Sequence, residues 1–131
     1  MSRLMSVAFT ADAVIERRKT VTRRKGWWLD KNGRQILKPG DRLTLCRKVM
    51  GRKPGEPLER LTEVEVVDVR REPLSLLLTT IGYADEEMAR EGFPEMDPRE
   101  FVRLFFVAAQ RVGHNDDVTR IEWRYLDGDH S

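Results

Sequence analysis

Three side chains in this sequence are of types that together could move a proton and open an acyl bond: Lys19, Thr22 and Glu91. Lysine serves as a base only when its pKa falls from about 10.4 toward neutrality, through burial or neighbouring positive charge. Lys19 lies in Glu16-Arg17-Arg18-Lys19-Thr20-Val21-Thr22-Arg23-Arg24-Lys25, where six of ten residues are basic and four arginines fall within five residues of it. Thr22 offers a hydroxyl that could attack a carbonyl or orient a water once a base takes its proton. Glu91, in Ala89-Arg90-Glu91-Gly92-Phe93, ends a predicted helix, where a side chain can face a cleft and supply the matching acid. Each residue also has a plainer reading. A lysine in a basic run contacts phosphate or solvent, a threonine in a strand is structural, and a glutamate at a helix terminus lies on the surface.

Lys19 and Thr22 differ by an odd number, so a regular strand would point them to opposite faces. They share a pocket only if the chain bends between them or if Lys19 still belongs to a helix end. The segment itself, with Thr20, Val21 and Thr22 β-branched, favours extended backbone over helix.

The charge around these residues is uneven. Residues 1–60 carry 16 Lys/Arg against 6 Asp/Glu, and residues 61–131 carry 8 against 16. The halves are therefore expected to fold against each other, neutralising part of the charge and leaving a basic face for a phosphate-bearing or other anionic ligand. That pattern suits RNA, DNA, a nucleoside or a nucleotide alike. Arg18, Arg23, Arg24 and Lys48 are the basic residues expected to bind it. Trp27 and Trp28 could stack on bases, worth ~1–3 kcal/mol each, or pack one ring into the wall of the fold. Trp123 reads as core.

Composition narrows the class. A chain of 131 residues with 40% apolar and 35% charged residues reads as one domain, its core over about 4–125 and a loose tail over 126–131. No apolar run approaches the ~18 residues of a membrane span. The polar N-terminal stretch does not read as a signal peptide. The single cysteine, Cys46, fits a reducing cytoplasm and reads as a small buried hydrophobe. With His114 and His130 it leaves too few soft ligands for zinc, and neither metal nor cofactor is expected.

The positioning elements follow in order. A strand is predicted over 4–9 with Met5, Val7 and Phe9 on its apolar face, then a helix from Thr10 to about Arg18, then the basic strand. Asp30-Lys31-Asn32-Gly33 signals a hairpin turn and Lys38-Pro39-Gly40-Asp41 a second turn. A strand over 42–48 sets Leu43 and Leu45 opposite Thr44 and Cys46. The loop over 51–57 leads to the longest strand, over 61–71. Residues 73–80 read equally as helix or strand. A helix over 85–91 stops at Gly92, and a second opens on Asp97-Pro98 with Glu100 three residues past the cap. Phe101, Leu104, Phe105 and Ala108 form its expected buried stripe. The last strand, over 118–125, turns Ile121, Trp123 and Tyr125 inward. The pattern is α+β: a small barrel with a helix after the first strand and a helical pair before the last.

Taken together, Phe9 before a short helix, Arg18-Lys19-Thr20-Val21-Thr22-Arg23-Arg24, Lys38-Pro39-Gly40-Asp41 opening a strand, and Glu91-Gly92-Phe93 before an aromatic-rich helix resemble an ASCH domain of the PUA-like superfamily. The resemblance spans about residues 5–125. It implies a PUA-like β-barrel with helices around a cleft, and an association with RNA or nucleoside ligands. Within that family it is similar to the small bacterial amidohydrolases that remove the acetyl group of N(4)-acetylcytidine. Their catalytic lysine, threonine and glutamate match Lys19, Thr22 and Glu91, and a following arginine matches Arg24. The resemblance implies Lys19 as base, Thr22 or a water as nucleophile, and Glu91 handling the proton of the leaving amine. The alternatives are a non-catalytic RNA-binding module that uses the basic cleft with tryptophan stacking, and a ribonuclease in the same cleft.

Overall fold

A computed structural model describes residues 2–126, so the tail expected over 126–131 falls, Leu126 apart, outside the described residues. Five strands form one curled sheet: β1 (Arg3–Ser6), β2 (Val21–Arg24), β3 (Arg42–Cys46), β4 (Arg60–Pro73) and β5 (Asp117–Tyr125), in the order β1-β3-β4-β5-β2. β1 runs parallel to β3, and the other neighbours are antiparallel. β1 and β2 are its two edges, which makes an open half-barrel. The helix after β1 is α1 (Ala11–Ile15), entered through a 3₁₀ turn over Ala8–Thr10. Between β4 and β5 come α2 (Leu76–Thr79), α3 (Ile81–Glu91) and α4 (Pro98–Val102), the last running into a π-helical segment, Arg103–Ala108.

Two apolar clusters divide the interior. Inside the curl of the sheet, Met5, Val7, Val14, Leu43, Leu45, Val64, Val66, Ile121 and Trp123 pack together. On the helical side, Leu74, Leu77, Met88, Phe101, Val102, Phe106 and Val118 form the second. β5 reaches both, with Val118 in the second and Ile121, Trp123 and Tyr125 in the first, while a bulge at Val67 resets the alternation of β4, pairing Val66 with Trp123 and Asp68 with Glu122. A register shift between Leu45 and Cys46 likewise lets Cys46 be buried although Leu45 beside it is buried too.

Several local expectations change. The first strand stops at Ser6, and Phe9 sits in the 3₁₀ turn, 82% exposed, not on the apolar face of the strand. The third strand ends at Cys46, and residues 76–79 are helical. The helix ending at Glu91 begins at Ile81, four residues earlier than its charge pattern suggested. After α4 the backbone widens to π spacing, so the buried residues are Phe101, Val102 and Phe106, while Leu104 and Ala108 turn outward. Asp97 caps α4, its carboxylate accepting from the Arg99 N–H at 2.9 Å, but Glu100 pairs with Arg103 instead of closing a capping box. The Asn32-Gly33 turn forms as expected, with Gly33 at φ 78° and Asp30 Oδ1 accepting from the N–H groups of Asn32 and Arg34.

Candidate functional site

Lys19 reaches its place through a backbone bend. α1 ends at Ile15, Arg17 adopts φ 65°, and the chain turns before β2 begins at Val21. Lys19 therefore belongs to neither helix nor strand, and the parity argument does not apply to it. Its backbone is fixed from β5: the Lys19 carbonyl accepts from Trp123 Nε1 at 3.1 Å and from the Tyr125 hydroxyl. The Lys19 N–H donates to the Ala13 carbonyl at 3.2 Å.

Glu91 comes from the last residue of α3. Gly92 follows in the left-handed conformation at φ 97°, a position that favours glycine. A Cβ there would stand 3.0 Å from Ala13 Cβ and 3.2 Å from Thr10 Cγ2, so glycine also lets the end of α3 close onto α1. Lys19 and Glu91 meet as a result. Lys19 Nζ donates to the Glu91 carbonyl at 2.7 Å and to its Oε1 at 3.2 Å, with both side chains almost wholly buried. Burial lowers the Lys19 pKa; the Glu91 carboxylate pulls it back up, and Arg24 and Arg23 lower it further. The direction is the one a general base requires.

Lys19, Thr22, Arg24 and Glu91 line one cavity of about 240 Å³. The Thr22 hydroxyl makes no hydrogen bond to the protein among the described residues. Arg24 has one protein hydrogen bond there, from Nη2 to the Ser6 carbonyl, and burial lowers its pKa against the opposing pull of Glu91. The remaining donors of that guanidinium are available to an oxygen in the cavity. The opposite wall is aromatic. Phe93, Phe101 and Phe105 are tilted on one another with centroids 5.3–5.8 Å apart, and the exposed Phe9 packs edge-on against Phe105 at 5.7 Å.

Behind this wall of charge lies a buried ionic seam. Arg23 of β2 pairs directly with Arg120 of β5, an arrangement that like charge would destabilise. Glu87 of α3 relieves it: its Oε1 accepts from both Arg23 Nη2 and Arg120 Nε, the latter at 2.6 Å. Arg23 Nη2 also donates to Glu72 Oε2 at 2.8 Å and to the Tyr83 hydroxyl at 3.2 Å, and its Nη1 donates to Glu91 Oε2 at 3.1 Å. Burial would raise the Glu87 carboxyl, but hydrogen bonds from Arg120, Arg90 and Arg23, with the charge of Arg23, bring it down to about 2. The guanidinium of Arg23 moves the other way: burial lowers it, and Glu91, Glu72 and Glu87 together raise it further.

The remaining residues singled out in the sequence stand elsewhere. Arg18 is half-exposed and paired with Glu16 at 2.6 Å. Lys48 pairs with Glu56 at 3.7 Å, away from the cavity. Trp27, at φ 70°, packs against the barrel core, and Trp28 gives its carbonyl to the Ile36 N–H at 2.9 Å; neither lines the cavity. Sequence reasoning missed the phenylalanine wall and the Glu72–Glu87–Arg120 seam. Phe93 beside Glu91 and the Phe101/Phe105 spacing were the available signals for the wall; the charged residues looked like a solvated face. Among the described residues no grouping of three or more His, Cys, Asp or Glu is placed to hold a metal ion.

The fold has counterparts among solved structures. The crystal structure of an ASCH domain from Lactobacillus crispatus JV V101 superposes with a TM-score of 0.59 at 14% identity, over 95% of this chain and 79% of that one. The fold is that of an ASCH domain. A DUF984 protein from Enterococcus faecalis V583 superposes with a TM-score of 0.65 at 13% identity, over 96% of this chain and 80% of that one. No family model and no curated protein sequence matches the chain. At these identities the ASCH likeness concerns the fold alone, and the curled sheet with helices after β1 and between β4 and β5 is what is shared. Among the described residues no helix is long and apolar enough to cross a membrane.

Proposed function

We propose that this ASCH-fold protein is an amidohydrolase acting on a small acylated nucleoside of the N(4)-acetylcytidine type. The observation that carries the reading is the convergence of Lys19, Thr22, Arg24 and Glu91 on one cavity, with the lysine's pKa lowered by burial. Lys19, neutral in its working state, takes the proton of Thr22 or of a bound water, which attacks the acetyl carbon. The free donors of Arg24 stabilise the negative charge that develops on the carbonyl oxygen. The amide C–N bond breaks as Glu91 delivers a proton, received from Lys19, to the departing exocyclic amine. If Thr22 is the nucleophile, a water then hydrolyses the acyl-threonine. Cytidine and acetate leave.

The size and lining of the cavity support a small planar ligand over a polymer. Its volume of about 240 Å³ lies below the ~300–1,000 Å³ usual for drug-sized ligands, and one wall is phenylalanine. The RNA-reader alternative needs the basic run on the surface. Of the basic residues in the run only Arg18 and Lys25 are exposed; Lys19 and Arg23 are buried, and Arg23 is already bound to three carboxylates.

The test is hydrolysis of N(4)-acetylcytidine by the wild type beside Glu91→Gln and Thr22→Ala. Both variants are expected to lose at least about 100-fold in kcat, the lower range for a positioned acid–base group. Variants that turn over like the wild type would remove these residues from the mechanism.

A further inference from the structure

The two oxygens of the Glu91 carboxylate are not equivalent. Oε1 faces Lys19 Nζ at 3.2 Å, and Oε2 accepts from Arg23 Nη1 at 3.1 Å. Arg23 stands in the lining of the cavity, but its side chain is wholly enclosed among carboxylates. It is anchored from three directions: by Glu72 near the end of β4 at 3.0 and 2.8 Å, by Glu87 one helical turn before Glu91 on α3, and by β2 itself. Planar, forked and always charged, a guanidinium can hold three carboxylates at fixed angles, which an ammonium cannot.

We infer that Arg23 is the positioning residue of this site: by committing Glu91 Oε2, it leaves Oε1 as the single oxygen through which Glu91 exchanges a proton with Lys19. The inference rests on the reading of Lys19, Thr22 and Glu91 as the working site. Three buried basic side chains, Lys19, Arg23 and Arg120, here meet three buried carboxylates, Glu72, Glu87 and Glu91. Simple deletion of Arg23 would leave buried negative charge unpaired, a loss that commonly unfolds a protein. Arg23→Lys is therefore the informative variant. It keeps the charge but not the three-way geometry.

Arg23→Lys is expected to fold, to lose at least tenfold in kcat on N(4)-acetylcytidine, and to keep KM within about twofold. A kcat within twofold of the wild type would overturn the inference. A rise in KM alone would do the same, since it would make Arg23 a ligand contact. If the wild type proves inactive on this substrate, the proposed function fails, but the positioning role is still read by a crystal structure of Arg23→Lys. The Glu91 carboxylate is expected to turn away from the orientation in which Oε1 faces Lys19 Nζ and Oε2 faces Arg23. A carboxylate that keeps that orientation in Arg23→Lys overturns the inference without reference to turnover.

Discussion

The inner face of the curled sheet and the seam behind the cavity are built on opposite rules. The first is dry and apolar, packed by Leu43, Leu45, Val64, Val66 and Ile121, none of which has a polar atom to satisfy in its side chain. The second buries Lys19, Arg23, Arg120, Glu72, Glu87 and Glu91 within a few ångströms of one another. Apolar burial contributes about 25 cal/mol per Å² and asks little of geometry. Buried ion pairs roughly break even against apolar packing of the same volume, and break badly when one partner is lost. The contrast assigns the parts: the sheet interior holds the fold together, and the seam holds a few side chains at defined angles and sets their protonation.

That division can be broken from either side. Leu45→Ala empties space in the sheet interior and should cost about 2–5 kcal/mol in urea denaturation. Because Leu45 does not line the cavity, KM and kcat of the remaining folded protein should stay within about twofold. A loss of activity out of proportion to the unfolded fraction would show that the two regions are not separable.

A smaller effect with the opposite signature is expected at Gly92. Gly92→Ala puts a side chain at φ 97° and 3.0 Å from Ala13 Cβ, which should cost about 1–3 kcal/mol. Here activity should fall more than stability, because the displaced residue is the neighbour of Glu91. Equal losses in stability and kcat would mean that Gly92 matters for folding alone.

A third effect is a pH dependence confined to the seam. The Glu87 carboxyl is held near 2 in the folded protein against 4.5 for the free group. A depressed carboxyl adds stability that is fully present above about pH 4.5 and is lost as pH falls toward 2. The difference in stability between wild type and Glu87→Gln, followed by urea titration, should therefore be constant from pH 7 to 5 and shrink below that. A difference that persists unchanged to pH 2.5 would contradict the ionic role of Glu87.

How much of this was legible in the sequence follows the same division. Alternating valines in β4, leucines in β3 and the Ile121/Trp123/Tyr125 alternation identify the sheet interior, because burial of apolar residues follows backbone periodicity directly. Asp97-Pro98 and Gly92 mark helix ends for local reasons of capping and φ. The seam is another matter. Arg23, Glu72, Glu87 and Arg120 are far apart in the chain and have the composition of a solvated surface; only the pairing of β2 with β5 and the close approach of α3 make them interior. Phe9 was misread for a related reason, since the 3₁₀ turn that takes it off the strand has no signature in residue alternation. The π spacing after α4 moved the buried face from Leu104 and Ala108 to Phe106. The tryptophans have the chemistry of stacking groups, yet the phenylalanines line the cavity, and Trp27 packs against the core that its apolar area favours.

The most direct measurement is the release of cytidine from N(4)-acetylcytidine, followed by chromatography, for the wild type beside Lys19→Ala. The account predicts cytidine and acetate from the wild type and a loss of at least about 100-fold without the lysine. No cytidine from the folded wild type, together with RNA binding that weakens steeply with salt, would contradict it and make the cavity part of a nucleic-acid reader.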